Sequence, residues 1–549
     1  MAKNRAAWTV MVYLAGDNNL TTECLFALTE MKKAAPGRKI NVIAQFDPRD
    51  NYLPTHRYEI NRTGAESNLV DDIIDEARYN PRTGEVHFRK ESRNANAMAR
   101  VRLATRSARP AVPDDSSLHG SPDEDEVVTD DTDTGSPITL YNFISFCLEE
   151  YPADHYIVVL SGHSGGTERD YLLKDESSTG SLTFNELKHV FERVKQDREG
   201  KAIDILGMDN CLMSMAEICY ELRGLVEIVV GCESYSPASG WPYRQILERL
   251  KRDFIRPKLS KRQSIQAETA KAIVEEYVDY YSSYWISGLS ISQSALDISK
   301  VEQLKDIVDK LATELERELL GEYERDRKSR SSRKTVIKDA VVLAHWEAQS
   351  YNGELFVDLF DFCDRLENRL EPCAIAKRCR EVNRFIANEF VLKSCYSGAV
   401  YQYSYGVSMY FPWSDVVSTY RNLDFVRDGT GAGWGNFLRT YVLVTRREPR
   451  GMDRRSRLGE LGSGITMNNG MSSDRMSSDR MSSDRISSDR MSSDRMSSDR
   501  MSSDRMSSDR VFGNPIHSMR NPPVVFFPGE CIKERRHVIV GQERFLAEE

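Results

Sequence analysis

The chain has 549 residues, of which 40% are hydrophobic and 29% charged, and its formal net charge is −9. That length allows two or three domains and a sizeable core. The acidic balance argues against a nucleic-acid partner, which needs a concentrated basic face. No apolar run reaches the roughly 18 residues of a membrane-crossing helix, so no membrane partner is expected.

The N-terminal apolar stretch runs only from Val10 to Ala15 and is broken by Gly16-Asp17-Asn18-Asn19. It is too short for a secretory leader and reads as a first β-strand. The ten cysteines are scattered without CxxC pairs. This argues against a disulfide framework and a zinc site, and fits a reducing, cytoplasmic setting.

Strand-like segments at Trp8–Ala15 and Lys39–Asp47 flank a helical pattern at Thr21–Ala34, the start of a βαβ pattern. Residues 91–135 interrupt it. Seven basic residues lie between Arg89 and Arg109, and nine acidic ones between Asp114 and Asp133. So little apolar surface is interleaved that the segment is expected to be a disordered insert. Pattern returns with a helix at Ile138–Tyr151, a strand at His155–Ser161 and a helix at Leu182–Lys195. A strand at Ala202–Met208, a helix at Met213–Leu222 and a strand at Val226–Cys232 follow. Tyr156–Leu160 and Ala340–Ala344 have the length of buried strands. Gln266–Tyr281 and Ile298–Glu324 read as helices, and Gly406–Pro412 as a late buried strand. Residues 471–510 are eight tandem pentapeptides, Met-Ser-Ser-Asp-Arg with Ile486 once in place of Met. A period of five presents no continuous apolar face, so a disordered tether is expected.

The predicted fold class is thus α/β, a mostly parallel sheet flanked by helices. Residues 1–90 and 136–250 form the core, 91–135 the insert, 251–445 its C-terminal part, and 446–549 a low-complexity tail.

Two strand ends carry chemistry. One reads Val158-Val-Leu-Ser-Gly-His163-Ser-Gly-Gly166, the other Ile205-Leu-Gly-Met-Asp209-Asn-Cys211. Ligands of open α/β sheets bind beyond the carboxyl ends of the strands, so His163 and Cys211 can face one crevice. An imidazole beside a thiol makes a nucleophile, and the backbone amides of Ser164 and Cys211 can hold an oxyanion. Read alone, a cysteine after a buried strand is more often a small core residue, and a lone histidine more often structural.

Several ordered segments resemble the clostripain family of cysteine peptidases. They are Trp8–Leu20, Tyr151–Tyr156 with His163, Met208–Met213 with Glu217, Glu233 with Gly240-Trp-Pro-Tyr243, and Gly406–Pro412. The resemblance covers roughly residues 8–90 and 136–445. It implies a caspase-like fold and endopeptidase activity on peptides or proteins after Arg or Lys, without a cofactor. His163 is then the base, Cys211 the nucleophile, and Asp209 a substrate-binding carboxylate, with Glu233 and Ser239 on the loop lining the site. The sequence departs from the family at Ser164, where glycine is usual, and at Ser239, where an acidic residue is frequent. The resemblance also implies cutting of the chain between the histidine and cysteine segments. Lys174, in a stretch from Thr167 to Gly180 expected to be exposed, is one candidate. Lys195, Arg198 and Lys201 form a second cluster, favoured because acidic residues follow Lys174.

Three other readings compete. Gly162-His-Ser164-Gly-Gly166 fits the nucleophile elbow of serine hydrolases, although the polar continuation is wrong for it. An inactive relative could act as a scaffold, and the basic run before Pro110 could bind nucleic acid, though it lacks interleaved aromatics. Some relatives need calcium, but Asp170, Asp175 and Glu176 do not form an EF-hand loop, so no metal site is expected.

Overall fold

The structure is a computed structural model that describes residues 5–49, 55–60, 77–80, 85–88, 133–257, 259–260, 263–283, 289–328, 336–427 and 433–445. Most of the insert and the whole tail, including the pentapeptide repeats, lie outside them.

An eight-stranded sheet organises the large unit. In chain order its strands are β1 (Ala6–Gly16), β2 (Ile40–Pro48), β3 (His56–Glu59), β6 (Ala153–Ser161), β7 (Ile203–Asp209), β8 (Val226–Gly231), β9 (Ile291–Asp297) and β12 (Val391–Ser397). Their spatial order is β12-β9-β8-β7-β6-β1-β2-β3. The five central strands are mutually parallel, and β3, β9 and β12 pair antiparallel. The prediction of a mostly parallel sheet therefore holds, with antiparallel edges added. Strands covered on both faces read as apolar runs rather than alternating ones. All nine residues of β2 and all seven of β7 are buried.

On one face lie α1 (Thr21–Lys33), α6 (Tyr243–Asp253) and α7 (Ile265–Tyr281). There Val10, Ile157 and Val159 meet Trp241, Tyr243 and Ile246. The other face carries α2 (Pro137–Glu150), α3 (Gly166–Arg169), α4 (Phe184–Asp197), α5 (Ala216–Glu221) and α8 (Val301–Lys328). Also on this side are α9 (Val336–Glu347), α10 (Leu359–Glu367), α11 (Ala374–Phe385), α12 (Asp424–Arg427) and α13 (Trp434–Thr445). Met11, Tyr13, Val158, Leu160, Leu206 and Met208 point into that larger core. A three-stranded sheet, β10 (Ser350–Tyr351), β11 (Phe356–Asp358) and β13 (Ser408–Tyr410), joins it through a bridge between Met215 and Ser408. Strands β4 (Ala77–Asn80) and β5 (Glu85–Phe88) form an antiparallel hairpin in a second unit.

Local signals explain several boundaries. Thr183 caps α4 through a capping box with Glu186. Ser264 caps α7 and Asp358 caps α10. Ala340–Ala344 is not a strand but part of helix α9. A five-residue apolar run does not distinguish the two states, and here Ala340, Val341 and Ala344 are buried while Leu343 and Trp346 are exposed.

Glu217 ties α5 to the small sheet. Its Oε1 accepts from the Tyr410 N–H and the Tyr420 hydroxyl, both at 2.9 Å, in a fully buried setting. Burial raises its pKa to about 7, against those donors. A carboxyl raised in the folded state adds stability that is present at low pH and lost as pH rises through about 7. The urea stability of wild type relative to Glu217→Gln should therefore fall between pH 5 and pH 8, by on the order of 1–3 kcal/mol. Parallel pH profiles for the two proteins would contradict this.

Candidate active site

Strands β6 and β7 run parallel, with Ser161 opposite Asp209. His163 and Cys211 thus each lie two residues beyond a paired position, at the carboxyl edge of adjacent central strands. The two ends are stitched together. Asn210 Nδ2 donates to the Gly162 carbonyl at 2.8 Å, and Ser161 Oγ donates to Asp209 Oδ2 at 3.0 Å. The Ser164 hydroxyl donates to the Cys211 carbonyl.

Cys211 sits in a tight turn whose next residue, Leu212, has φ 62°, a left-handed conformation uncommon for leucine. The Leu212 N–H is held by the Ser234 carbonyl at 2.9 Å. The thiol is half-buried, and the Ser236 N–H reaches its sulfur at 3.3 Å. Burial pushes the Cys211 thiol up to about 11, against the Ser236 N–H and with the Asp209 charge. The His163 imidazole donates through Nε2 to Asn19 Oδ1 at 2.6 Å. Nδ1 is then the ring nitrogen that carries the lone pair. A backbone bridge pairs Ser164 with Leu172, made by the His163 carbonyl with Leu173 N–H and by Gly165 N–H with the Tyr171 carbonyl. The Ser164 N–H lies outside that ladder.

Asp209 is buried on the α6 face. Its Oδ2 also accepts from the Tyr243 hydroxyl at 2.8 Å, while its Oδ1 makes no hydrogen bond of good geometry. Burial raises its pKa to about 6, opposed by the Tyr243 hydroxyl, the nearby Trp241 N–H and the Ser161 hydroxyl. Gly240 is required above it: φ is +67°, and a Cβ there would come within 2.8 Å of Asp209 Oδ2. Ser239 Oγ pairs with the Tyr281 hydroxyl at 2.8 Å, half-buried beside this roof. Glu233 lies elsewhere. Its carboxyl is fully buried against Asp358 and accepts from the Gly406 N–H at 2.9 Å, which places it in the core beneath the loop.

The stretch from Thr167 to Gly180 is less open than its polarity suggests. Leu172 and Leu173 are fully buried, and Leu172 bridges both Ser164 and Leu182. That apolar pair, overlooked among polar neighbours, anchors the loop. Lys174 is exposed at the same sheet edge as His163, its carbonyl accepting from Asn18 Nδ2 at 2.9 Å. Lys195, Arg198 and Lys201 precede β7 and lie at the opposite edge, a strand length of about 20 Å away. Arg198 is stacked 4.7 Å from the Tyr156 ring and bonded to the Ala202 carbonyl.

Ser164 is 6% exposed, its hydroxyl proton directed at the Cys211 carbonyl, and α3 after it is only four residues long. None of this suits a nucleophile elbow. Asp17, Asp47 and Asp175, all buried, place carboxylate oxygens within 4.8 Å of one another and are the group among the described residues that could hold a cation. They come from three separated segments, so a search for contiguous loop spacing does not find them. The sequence alone assigns no role to Asn19, Ser236 and Tyr243, although Asn19 and Tyr243 lie inside segments that carry the family resemblance. Ser236 carried no signal, since its contact with Cys211 is made by the backbone.

The Clostripain family profile matches residues 12–432, and the chain belongs to that family. Clostripain of Hathewaya histolytica is 23% identical over 392 residues; the match spans 65% of this chain and 65% of that protein, slightly under two thirds of its length. Among solved structures, a secreted C11 cysteine protease from Bacteroides thetaiotaomicron, in complex with an irreversible peptide inhibitor, aligns with a TM-score of 0.47 at 14% identity. That alignment covers 77% of this chain and 98% of the other. An inactive zymogen C11 protease from Parabacteroides distasonis aligns with a TM-score of 0.47 at 16% identity, covering 78% and 99%.

With His163 removed, burial, the Ser236 N–H and the Asp209 charge govern the thiol. The rate of Cys211 alkylation by iodoacetamide in His163→Ala should rise about tenfold per pH unit from 7 to 10, following the thiolate fraction. A rate that levels off below pH 9 would contradict the raised thiol.

Proposed function

We propose that the protein is a cysteine endopeptidase that cleaves peptide bonds after Arg or Lys. The observation that carries this reading is the pair of equivalent positions, His163 and Cys211, beyond two stitched parallel strands. Because burial keeps the thiol protonated, the reaction needs a base at the moment of attack. His163 Nδ1 takes the Cys211 proton as sulfur bonds to the substrate carbonyl carbon. The N–H groups of Ser164 and Cys211 hold the oxyanion. The imidazolium then protonates the departing amine, leaving a thioester, and a water activated by the same imidazole releases the acid. Asn19 positions the ring by fixing the Nε2–H tautomer.

Asp209 is the specificity residue in this reading. Its Oδ1 is a buried acceptor short of a well-placed donor, and a guanidinium or ammonium group at P1 supplies one. Family membership supports proteolysis. Maturation by self-cutting is part of the same proposal, at Lys174 rather than at the Lys195–Lys201 cluster. Lys174 shares the sheet edge with Cys211, whereas the cluster requires a second molecule to reach it.

Two experiments test these assignments. Cys211→Ala and His163→Ala should each abolish hydrolysis of peptides with Arg at P1 while thermal unfolding stays unchanged. Hydrolysis retained by Cys211→Ala would refute the assignment. Asp209→Asn should reduce kcat/KM for basic P1 substrates by about 2–4 kcal/mol of transition-state stabilisation. In wild type the preference for basic over neutral P1 residues should rise as pH increases through about 6, where the carboxyl ionises, and Asp209→Asn should lose this rise. Equal losses for basic and neutral P1 residues would make Asp209 a loop-holding residue instead.

A further inference from the structure

Tyr235 immediately precedes Ser236, whose N–H meets the Cys211 sulfur. It is 51% exposed, while its neighbours Glu233 and Ser234 are buried. A half-exposed aromatic ring is ordinarily mobile at its tip, but this one is tethered. The phenol donates to Asn352 Oδ1 at 2.6 Å, and Asn352 Nδ2 donates to Glu168 Oε2 at 3.3 Å. Glu168 belongs to α3, directly after the histidine turn, and Asn352 to the turn between β10 and β11. A hydrogen-bonded strap therefore crosses from the histidine loop to the cysteine loop, and Tyr235 is its last member. At its base, the Tyr401 hydroxyl lies beside the Tyr235 backbone, within electrostatic reach of Cys211.

The strap and the Asp209 pocket lie on opposite sides of the thiol. Asp209 is covered by Trp241 and Tyr243 on the α6 face. Tyr235 reaches toward the small sheet, which packs on the other face. In an extended peptide, successive side chains point to opposite sides. A chain whose basic P1 side chain enters toward Asp209 therefore turns its P2 side chain toward the exposed face of Tyr235.

We propose that Tyr235, backed by Tyr401, forms the wall of a subsite for the residue preceding P1, and that it favours an apolar or aromatic side chain there. The inference rests on the peptidase reading above. A preorganised ring gains contact area on substrate binding at little cost in conformational entropy.

The test is a set of peptides with Arg fixed at P1 and Gly, Asp, Leu or Phe at P2, hydrolysed by wild type, Tyr235→Ala and Tyr235→Phe. Wild type should prefer Leu and Phe over Gly, and Tyr235→Ala should lower that preference about tenfold, the scale of one aromatic contact. Tyr235→Phe keeps the ring and should retain most of the preference, losing only the strap. Hydrolysis with no P2 discrimination, or a preference untouched in Tyr235→Ala, would overturn the inference and leave the peptidase reading standing. So would a change confined to the residue after the scissile bond. No hydrolysis of any peptide by wild type would overturn both.

Discussion

The parallel register of β6 and β7 is the constraint on which the site depends. With Ser161 opposite Asp209, the chain reaches His163 and Cys211 after the same number of residues. A slip of one residue would turn one of the two side chains to the opposite face. Both strands are buried on both faces, β6 by Val158 and Leu160 on one side and Ile157 and Val159 on the other, β7 by Leu206 and Met208 on one side and Ile205 on the other. The stitching through Asn210, Ser161 and Ser164 adds polar contacts that only this register satisfies.

Burial sets the chemistry of the residues so placed. It raises the Cys211 thiol and the Asp209 carboxyl, so both rest closer to neutrality than they would in water. A neutral thiol resists adventitious oxidation and becomes a nucleophile only when a base accepts its proton. A buried carboxyl held by Tyr243 and Ser161, with one oxygen short of a well-placed donor, is costly to ionise. The same desolvation acts on Glu217 in the core, where no chemistry is expected. A raised pKa alone therefore does not mark the site; position at the sheet edge does.

Much of this was legible in the sequence because it is local. Apolar runs gave the central strands, and the turn clusters after β6 and β7 exposed His163 and Cys211. What escaped depends on tertiary contacts. Strands β9 and β12 lie in residues 255–445, where no period-two signal stands out, and they pair antiparallel at the sheet edge. Glu233 looked like a loop residue, yet its carboxyl is spent on the Gly406 backbone, 173 positions away. The polar stretch after His163 hid Leu172 and Leu173, whose burial fixes the loop. Asp17, Asp47 and Asp175 converge only once β1 and β2 are aligned and the Lys174 loop folds over them.

The central claim is that imidazole and thiol face one crevice, and a short bifunctional alkylator tests it most directly. 1,3-Dibromoacetone spans only a few ångström between two nucleophiles. Treatment of the wild-type protein, followed by proteolysis and mass spectrometry, should yield one crosslinked pair containing Cys211 and His163. Alkylation of Cys211 alone, with the second bromide hydrolysed and His163 unmodified, would contradict the account.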